Sequence, residues 1–137
     1  MNIRNIFDLT GRALSAQMIR MNTIASNIAN VNAVSNSEET AYRALKPVFR
    51  AVYSDALKSD GIATVDVEGI SRKSGAVEKR YSPGHPVSDE DGYIYLSNVN
   101  LTNEMVDMLE AKHQYQNSVE VLNTVRSLMM RTLKLGS

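Results

Sequence analysis

Two histidines are the first side chains in this sequence to test for acid–base or metal chemistry. His85 lies in a turn that contains two prolines, and His113 lies in the middle of a predicted helix. They share no local motif, so a catalytic or metal-binding role would need partners from elsewhere in the fold. We therefore interpret them as a turn histidine and an exposed helical histidine.

Two acidic clusters could in principle bind a cation or transfer protons. Residues 89–92 read Asp-Glu-Asp-Gly, but they lack the alternating oxygen ligands and the distal glutamate of a calcium loop. We favour a solvated turn that leads into Tyr93. Glu104 and Asp107 lie three residues apart at a predicted helix start, where the helix dipole accounts for acidic residues.

Composition excludes several further functions. The chain has no cysteine, so it can form neither disulfides nor thiolate metal sites. Catalytic and nucleotide-binding signatures such as GxSxG, the P-loop and GxGxxG are absent. The net charge of zero gives no reason to expect nucleic acid as a partner, and no apolar run reaches the roughly 18 residues of a membrane span. We predict a protein that is not an enzyme and uses no cofactor, metal, small-molecule substrate or nucleic acid.

Long amphipathic helices are predicted at both ends of the chain. Residues 3–31 and 101–135 carry apolar side chains at every seventh position, a repeat that requires a partner helix along its length. At 1.5 Å per residue these helices would be roughly 44 and 50 Å long. Such lengths exceed what a small middle region can cover, so the surplus apolar surface predicts an assembly protein.

The middle of the chain is predicted to form a small antiparallel β unit at about residues 41–96. Four strands are expected, at the second half of 42–53, at 62–70, at 76–81 and at 92–96, because apolar and β-branched residues alternate or cluster there. Residues 32–39 and 54–61 are predicted to be loops. The fold class is therefore α+β.

Two features of the helices leave alternatives open. Five methionines lie in or beside the apolar rows, either as filler within one subunit or as adaptable contacts with non-identical neighbours. Asn27 and Asn30 flank the apolar row one turn apart, although asparagine is a poor helix former. They could fix the register of a helix interface, or they could cap a fraying helix end.

Several segments resemble bacterial flagellar rod and hook proteins. The N-terminal signature is residues 20–32, RMNTIASNIANVN, and further matching blocks follow in the family's order. These blocks are residues 5–8, 13–17, 81–86, 91–95, 98–100, 104–108, 115–116 and 119–129. The chain departs from the family pattern at Ala33 and over residues 35–41, within a predicted loop.

The resemblance implies a structural subunit of the proximal flagellar rod, the periplasmic shaft that transmits torque and encloses the export channel. It implies that residues 1–32 and 101–137 form one discontinuous helical assembly domain with a coiled-coil-like helix pair. Residues 33–100 would form a loop and an outward-facing β domain. Implied partners are copies of the chain, FlgB-like and FlgF-like rod proteins, the adaptor FliE and the flagellar type III export apparatus. Export without a cleaved signal peptide agrees with the polar residues Asp8, Thr10 and Arg12 near the N-terminus.

The predicted subunit-interface seam consists of the apolar rows of both helices, and Asn27 and Asn30 are its predicted register-setting residues. The seam residues are Phe7, Leu14, Met21, Ile24, Ile28, Val31, Met105, Met108, Tyr115, Val119, Leu122, Met129 and Leu133. The alternative function is a stand-alone helical adaptor or an export-chaperone-like binding module, with the two helices satisfied against each other.

Overall fold

The computed structural model describes residues 3–53 and 63–136. Helix α1 spans Ile3–Ala29, and helix α2 spans Leu101–Leu135. The prediction of two long terminal helices with strands between them is confirmed, and the fold is α+β. Helix α1 ends two residues before the predicted limit because the amide of Asn30 already donates to both Ser26 O and Asn27 O, as in a tightening last turn.

The start and end of α2 follow ordinary capping chemistry. The Asn100 side chain accepts a hydrogen bond from the Asn103 amide at 3.1 Å, which satisfies one of the free donors of the first turn. At the other end, the amide of Gly136 donates to Thr132 O at 3.2 Å. The sequence predicted both limits.

The strands form two sheets instead of one β unit. β1 (Val34–Ser35), β5 (Tyr93–Leu96) and β4 (Lys79–Tyr81) form an antiparallel sheet in the order β1-β5-β4. β2 (Leu45–Val52) and β3 (Thr64–Arg72) form the second sheet. β1 was not predicted from the sequence, because two residues are too few to show an alternating pattern. The predicted loop 54–61 and the predicted strand start at 62 lie outside the described residues.

The chain divides into two compact units, each of which combines helix and strand segments. One unit contains α1 up to Met21, the strand segments between Pro47 and Gly69, and α2 from Leu109. The other contains Asn22–Lys46 and Ile70–Met108. These two units are defined by contacts between residues. The predicted domains, residues 1–32 with 101–137 and residues 33–100, were defined by secondary structure instead.

The buried apolar residues are mostly small. Four of the seven buried hydrophobic residues among those described are alanines, and the others are Ile24, Val77 and Ile94. In contrast, 17 large hydrophobic residues within 3–53 and 63–136 are exposed. Large aliphatic and aromatic side chains supply most of the burial energy of a domain, so the described residues leave much of their apolar surface uncovered.

Candidate assembly surface

The predicted seam residues occupy three kinds of environment. Ile24 is buried, with 5% of its surface exposed, whereas Met105 and Leu133 are exposed by 59% and 67%. The other ten are half-buried: Phe7, Leu14, Met21, Ile28, Val31, Met108, Tyr115, Val119, Leu122 and Met129. The seam is therefore only partly covered within the chain.

In the first compact unit, polar side chains connect the two helices. Gln17 donates to the Gln114 side chain at 2.7 Å, and Arg20 contacts Glu110 at 3.4 Å. Partner numbers fall along α2 as they rise along α1, so the helices run antiparallel in this unit. Ala111 is completely buried on α2.

In the second compact unit, Asn27 is the most completely bonded side chain. It is 1% exposed, and its amide nitrogen donates to Leu45 O at 2.8 Å and to the Glu104 carboxylate at 3.1 Å. Its oxygen accepts from the Leu45 amide at 2.8 Å and from the Tyr42 hydroxyl at 3.0 Å. An asparagine side chain offers two donors and two lone pairs, and all four are used here.

Asn30 makes a different contact. Its amide nitrogen donates to Ser26 O at 2.8 Å, within the last turn of its own helix. This is the geometry of a helix-end bond. The predicted register-setting role of Asn30 remains a prediction.

Sequence reasoning did not find the partners of Asn27. Glu104 is 5% exposed and bonds to Asn27, although its position at a helix start suggested only a dipole effect. Tyr42 and Leu45 precede the alternating half of residues 42–53, and the sequence gave no sign that they contact a helix. The only signal in the sequence for the Asn27–Glu104 contact was that Glu104, an acidic residue at a helix start, is followed by apolar residues.

Helix α2 carries apolar residues on more than one face. Val121, Leu128 and Leu135 recur every seven residues, and they are 49%, 53% and 89% exposed. Near the other end of the helix, Met105 and Leu109 are 59% and 57% exposed. Exposed apolar residues on more than one face of a helix are suited to contact with further chains.

A groove of about 460 Å³ lies within the first unit. Its lining includes Phe49 and Val65 from the β2–β3 sheet, each 42% exposed, and Gln17 and Gln114 from the helices. Among the described residues, the Gln17 side-chain oxygen is buried without a hydrogen-bond partner. The groove is therefore lined by exposed apolar side chains of the sheet and by amide side chains of the helices.

The acidic segment that suggested a calcium loop is engaged by its own backbone. Asp89 accepts hydrogen bonds from the amides of Asp91 at 3.1 Å and Tyr93 at 2.7 Å. The side chain thus closes the turn before β5, in the manner of aspartate in tight turns. This is the turn leading into Tyr93 that the sequence favoured.

The structure does not bring the two histidines into a chemical site. The His85 ring nitrogen Nδ1 accepts from the amide of Val87 at 3.2 Å, and His113 is exposed on α2. Over residues 3–53 and 63–136, no group of three or more histidine, cysteine or acidic residues is placed to hold a metal ion. No helix in this part of the chain is long and apolar enough to cross a membrane.

Comparison with known proteins matches both ends of the chain to flagellar families. Residues 8–36 match the family described as flagella basal body rod protein. Residues 90–135 match the family described as flagellar basal body rod FlgEFG protein, C-terminal. These two matches contain Asn27 and Asn30 at one end and all of α2 at the other.

Three full-length relatives carry the same name. The flagellar basal-body rod protein FlgC of Salmonella typhimurium is 40% identical over 99% of both chains. FlgC of Escherichia coli O6:H1 is 42% identical over 99% of both chains, and FlgC of Buchnera aphidicola from Schizaphis graminum is 36% identical over the same share. No finding supports the alternative of a stand-alone adaptor or export chaperone. The chain belongs to the FlgC family of flagellar basal-body rod proteins.

Proposed function

We propose that the chain is a subunit of the proximal rod, where it helps to transmit torque and to enclose the export channel. The coarser statement follows from the family: the chain is a structural subunit of the basal-body rod, not an enzyme, and it assembles with other rod components in the flagellar basal body. The observation that carries the finer proposal is the exposed apolar surface of α2 in a chain so similar to rod proteins along its whole length.

The assembly surface proposed here is the seam together with the exposed row of Val121, Leu128 and Leu135. Apolar surface removed from water contributes about 25 cal/mol per Å². Many such helix contacts would stabilise a shaft without any single strong bond. The exposure of Met105 and Leu133 supports this surface, because neither side chain is covered within the described part of the chain.

We further propose how the subunit is organised in the assembled rod. Residues 1–32 and 101–137 would form the helical assembly domain, with its helices paired in a coiled-coil-like manner, and residues 33–100 would face outward. The neighbours would be copies of the chain, FlgB-like and FlgF-like rod proteins and the adaptor FliE. The chain would pass through the type III export apparatus without signal cleavage and reach the periplasm.

Acidic substitutions in the seam test the assembly surface. We expect Leu122→Asp and Met105→Asp to abolish rod completion and motility, because each places a charge where apolar burial is needed. Met105 is 59% exposed, so its replacement does not disturb the interior of the subunit itself. Isolated basal bodies and swimming in soft agar give the readout.

Matched controls place the same charge beside the seam. Asn123→Asp and Asn103→Asp each add an aspartate one or two positions away, at exposed residues of α2. Both controls should assemble and swim. Normal motility of Leu122→Asp and Met105→Asp would refute the seam as an assembly surface.

A further inference from the structure

Apolar burial alone does not determine how α1 and α2 align. An apolar row that repeats every seven residues looks much the same after one helix slides by seven positions. The helices could therefore pair in shifted registers that bury similar surface. Only groups that are not repeated can distinguish the native alignment from these alternatives.

We propose that Asn27 is the residue that determines the register between α1 and α2, and that it acts through Glu104. This goes beyond the rod function, because it concerns how two helices of one chain align. The Asn27 amide is 1% exposed and makes four hydrogen bonds. Three of these bonds join it to Tyr42 and Leu45, and the fourth joins it to Glu104 on α2, so a displaced alignment must replace this buried bond. Burying an amide without its partners is costly.

A slide by seven residues in one direction would place Asn27 opposite Ala111. Ala111 is completely buried and has no side-chain acceptor. The polar pairs of the first unit would also be lost, since Gln17 would lie opposite Val121 and not Gln114. Several polar contacts therefore reject this alignment.

A shift of seven residues in the opposite direction gives the alignment that competes with the native one. It would place Gln17 near Asp107 and Arg20 near Glu104, and both new partners are chemically acceptable. Only Asn27 loses its partner on α2, because its new counterpart, Ser97, precedes the start of the helix at Leu101. The register in this direction thus depends on the Asn27–Glu104 bond.

Replacement of Asn27 by leucine should release the register without unfolding the helices. Leucine is a better helix former than asparagine and adds apolar surface. This is the behaviour of a buried polar residue that sets the alignment of a coiled coil at a cost in stability. A residue with a merely structural role would instead lose helicity when replaced.

Thiol cross-linking reports the register directly, because the chain has no cysteine of its own. The pair Gln17→Cys with Gln114→Cys reports the native alignment, since the ends of the two glutamine side chains lie 2.7 Å apart. The pair Gln17→Cys with Asp107→Cys reports the competing alignment. A flexible bismaleimide, which bridges thiols that are too far apart for a disulfide, is added to the purified full-length chain, and the ratio of the two cross-link yields is measured.

With Asn27 intact, the native pair should dominate. In the Asn27→Leu background, the share of the shifted pair should rise by about tenfold, as expected for the loss of one buried polar contact. Asn22→Leu, the same change at an exposed position of α1, should leave the ratio unchanged. Glu104→Gln keeps an acceptor for the Asn27 amide and should also preserve the native pair.

Three results would overturn the proposal. They are an unchanged ratio in Asn27→Leu, the absence of both cross-links in that variant, and a native cross-link that fails to form with Asn27 intact. Motility is scored separately, so a failure of rod assembly with a normal register ratio would count against the proposed rod function alone.

Discussion

Gly92 should not tolerate a side chain, although the loop around it is exposed. Its φ angle is +84°, in the left-handed region that costs other residues about 1–2 kcal/mol. A Cβ atom at this position would lie 3.0 Å from Pro83 Cβ and 3.0 Å from Tyr81 Cε2. The proline ring has little freedom to move, and crowding of this kind costs about 1–3 kcal/mol. Gly92→Ala should therefore destabilise the loop by about 2–4 kcal/mol.

Hydrogen exchange of the backbone amides in β4 and β5 measures this loss locally. A reduction of about 2–4 kcal/mol in opening free energy corresponds to exchange that is roughly 30- to 1000-fold faster. Gly84→Ala, in the same loop, is the matched control. A Cβ atom there meets nothing within 4 Å, so its exchange should stay within a few-fold of the parent.

The two variants separate backbone strain from a general effect of adding a methyl group. If Gly92→Ala and Gly84→Ala exchange at the same rate, the positive φ and the close contacts do not determine the stability of this loop. The turn would then be held by other bonds, such as those from Asp89 to the amides of Asp91 and Tyr93.

Three smaller predictions concern individual bonds. Asp89→Ala should speed exchange in β5 by an amount equivalent to about 1–2 kcal/mol, whereas the exposed neighbour Glu90→Ala should not. Arg12→Ala removes two partly exposed ion pairs of 3.2 Å, to Asp8 and Asp66, and should change the free energy of unfolding measured by urea titration by less than about 1 kcal/mol. Thr64→Val removes a hydroxyl bond at a residue only 1% exposed and should cost about 1 kcal/mol. Thr124→Val, on an exposed face, should be neutral in the same urea titration, and equal losses at the two threonines would contradict the role of burial.

The helices could be predicted well because their pattern is long. A seven-residue repeat sustained over about 30 positions gives a strong signal, and the predicted range of α2, residues 101–135, is the observed one. β1 could not be predicted, because two residues carry no period. The separation of the strands into two sheets depends on pairing between distant segments, such as β1 with β5, and local alternation does not encode it.

The Asn27 contacts illustrate what a sequence leaves open. The amide was visible as an unusual residue in a helix, but its partners lie 15, 18 and 77 positions away in the chain. Likewise, spacing predicted apolar rows on α2, but it did not tell which row the subunit itself would cover. The predicted row of Met108, Tyr115, Leu122 and Met129 is half-buried, whereas the exposed row of Val121, Leu128 and Leu135 was not predicted from the sequence.

The exposed apolar residues of α2 have a consequence for the cell. Leu135, Leu133 and Val106 present 89%, 67% and 61% of their surfaces to water in the single chain. Exposed apolar surface of this kind promotes aggregation and is bound by molecular chaperones and proteases. An unassembled subunit is therefore at risk of aggregation or degradation. We expect its rate of synthesis to match the rate at which subunits are incorporated into the rod.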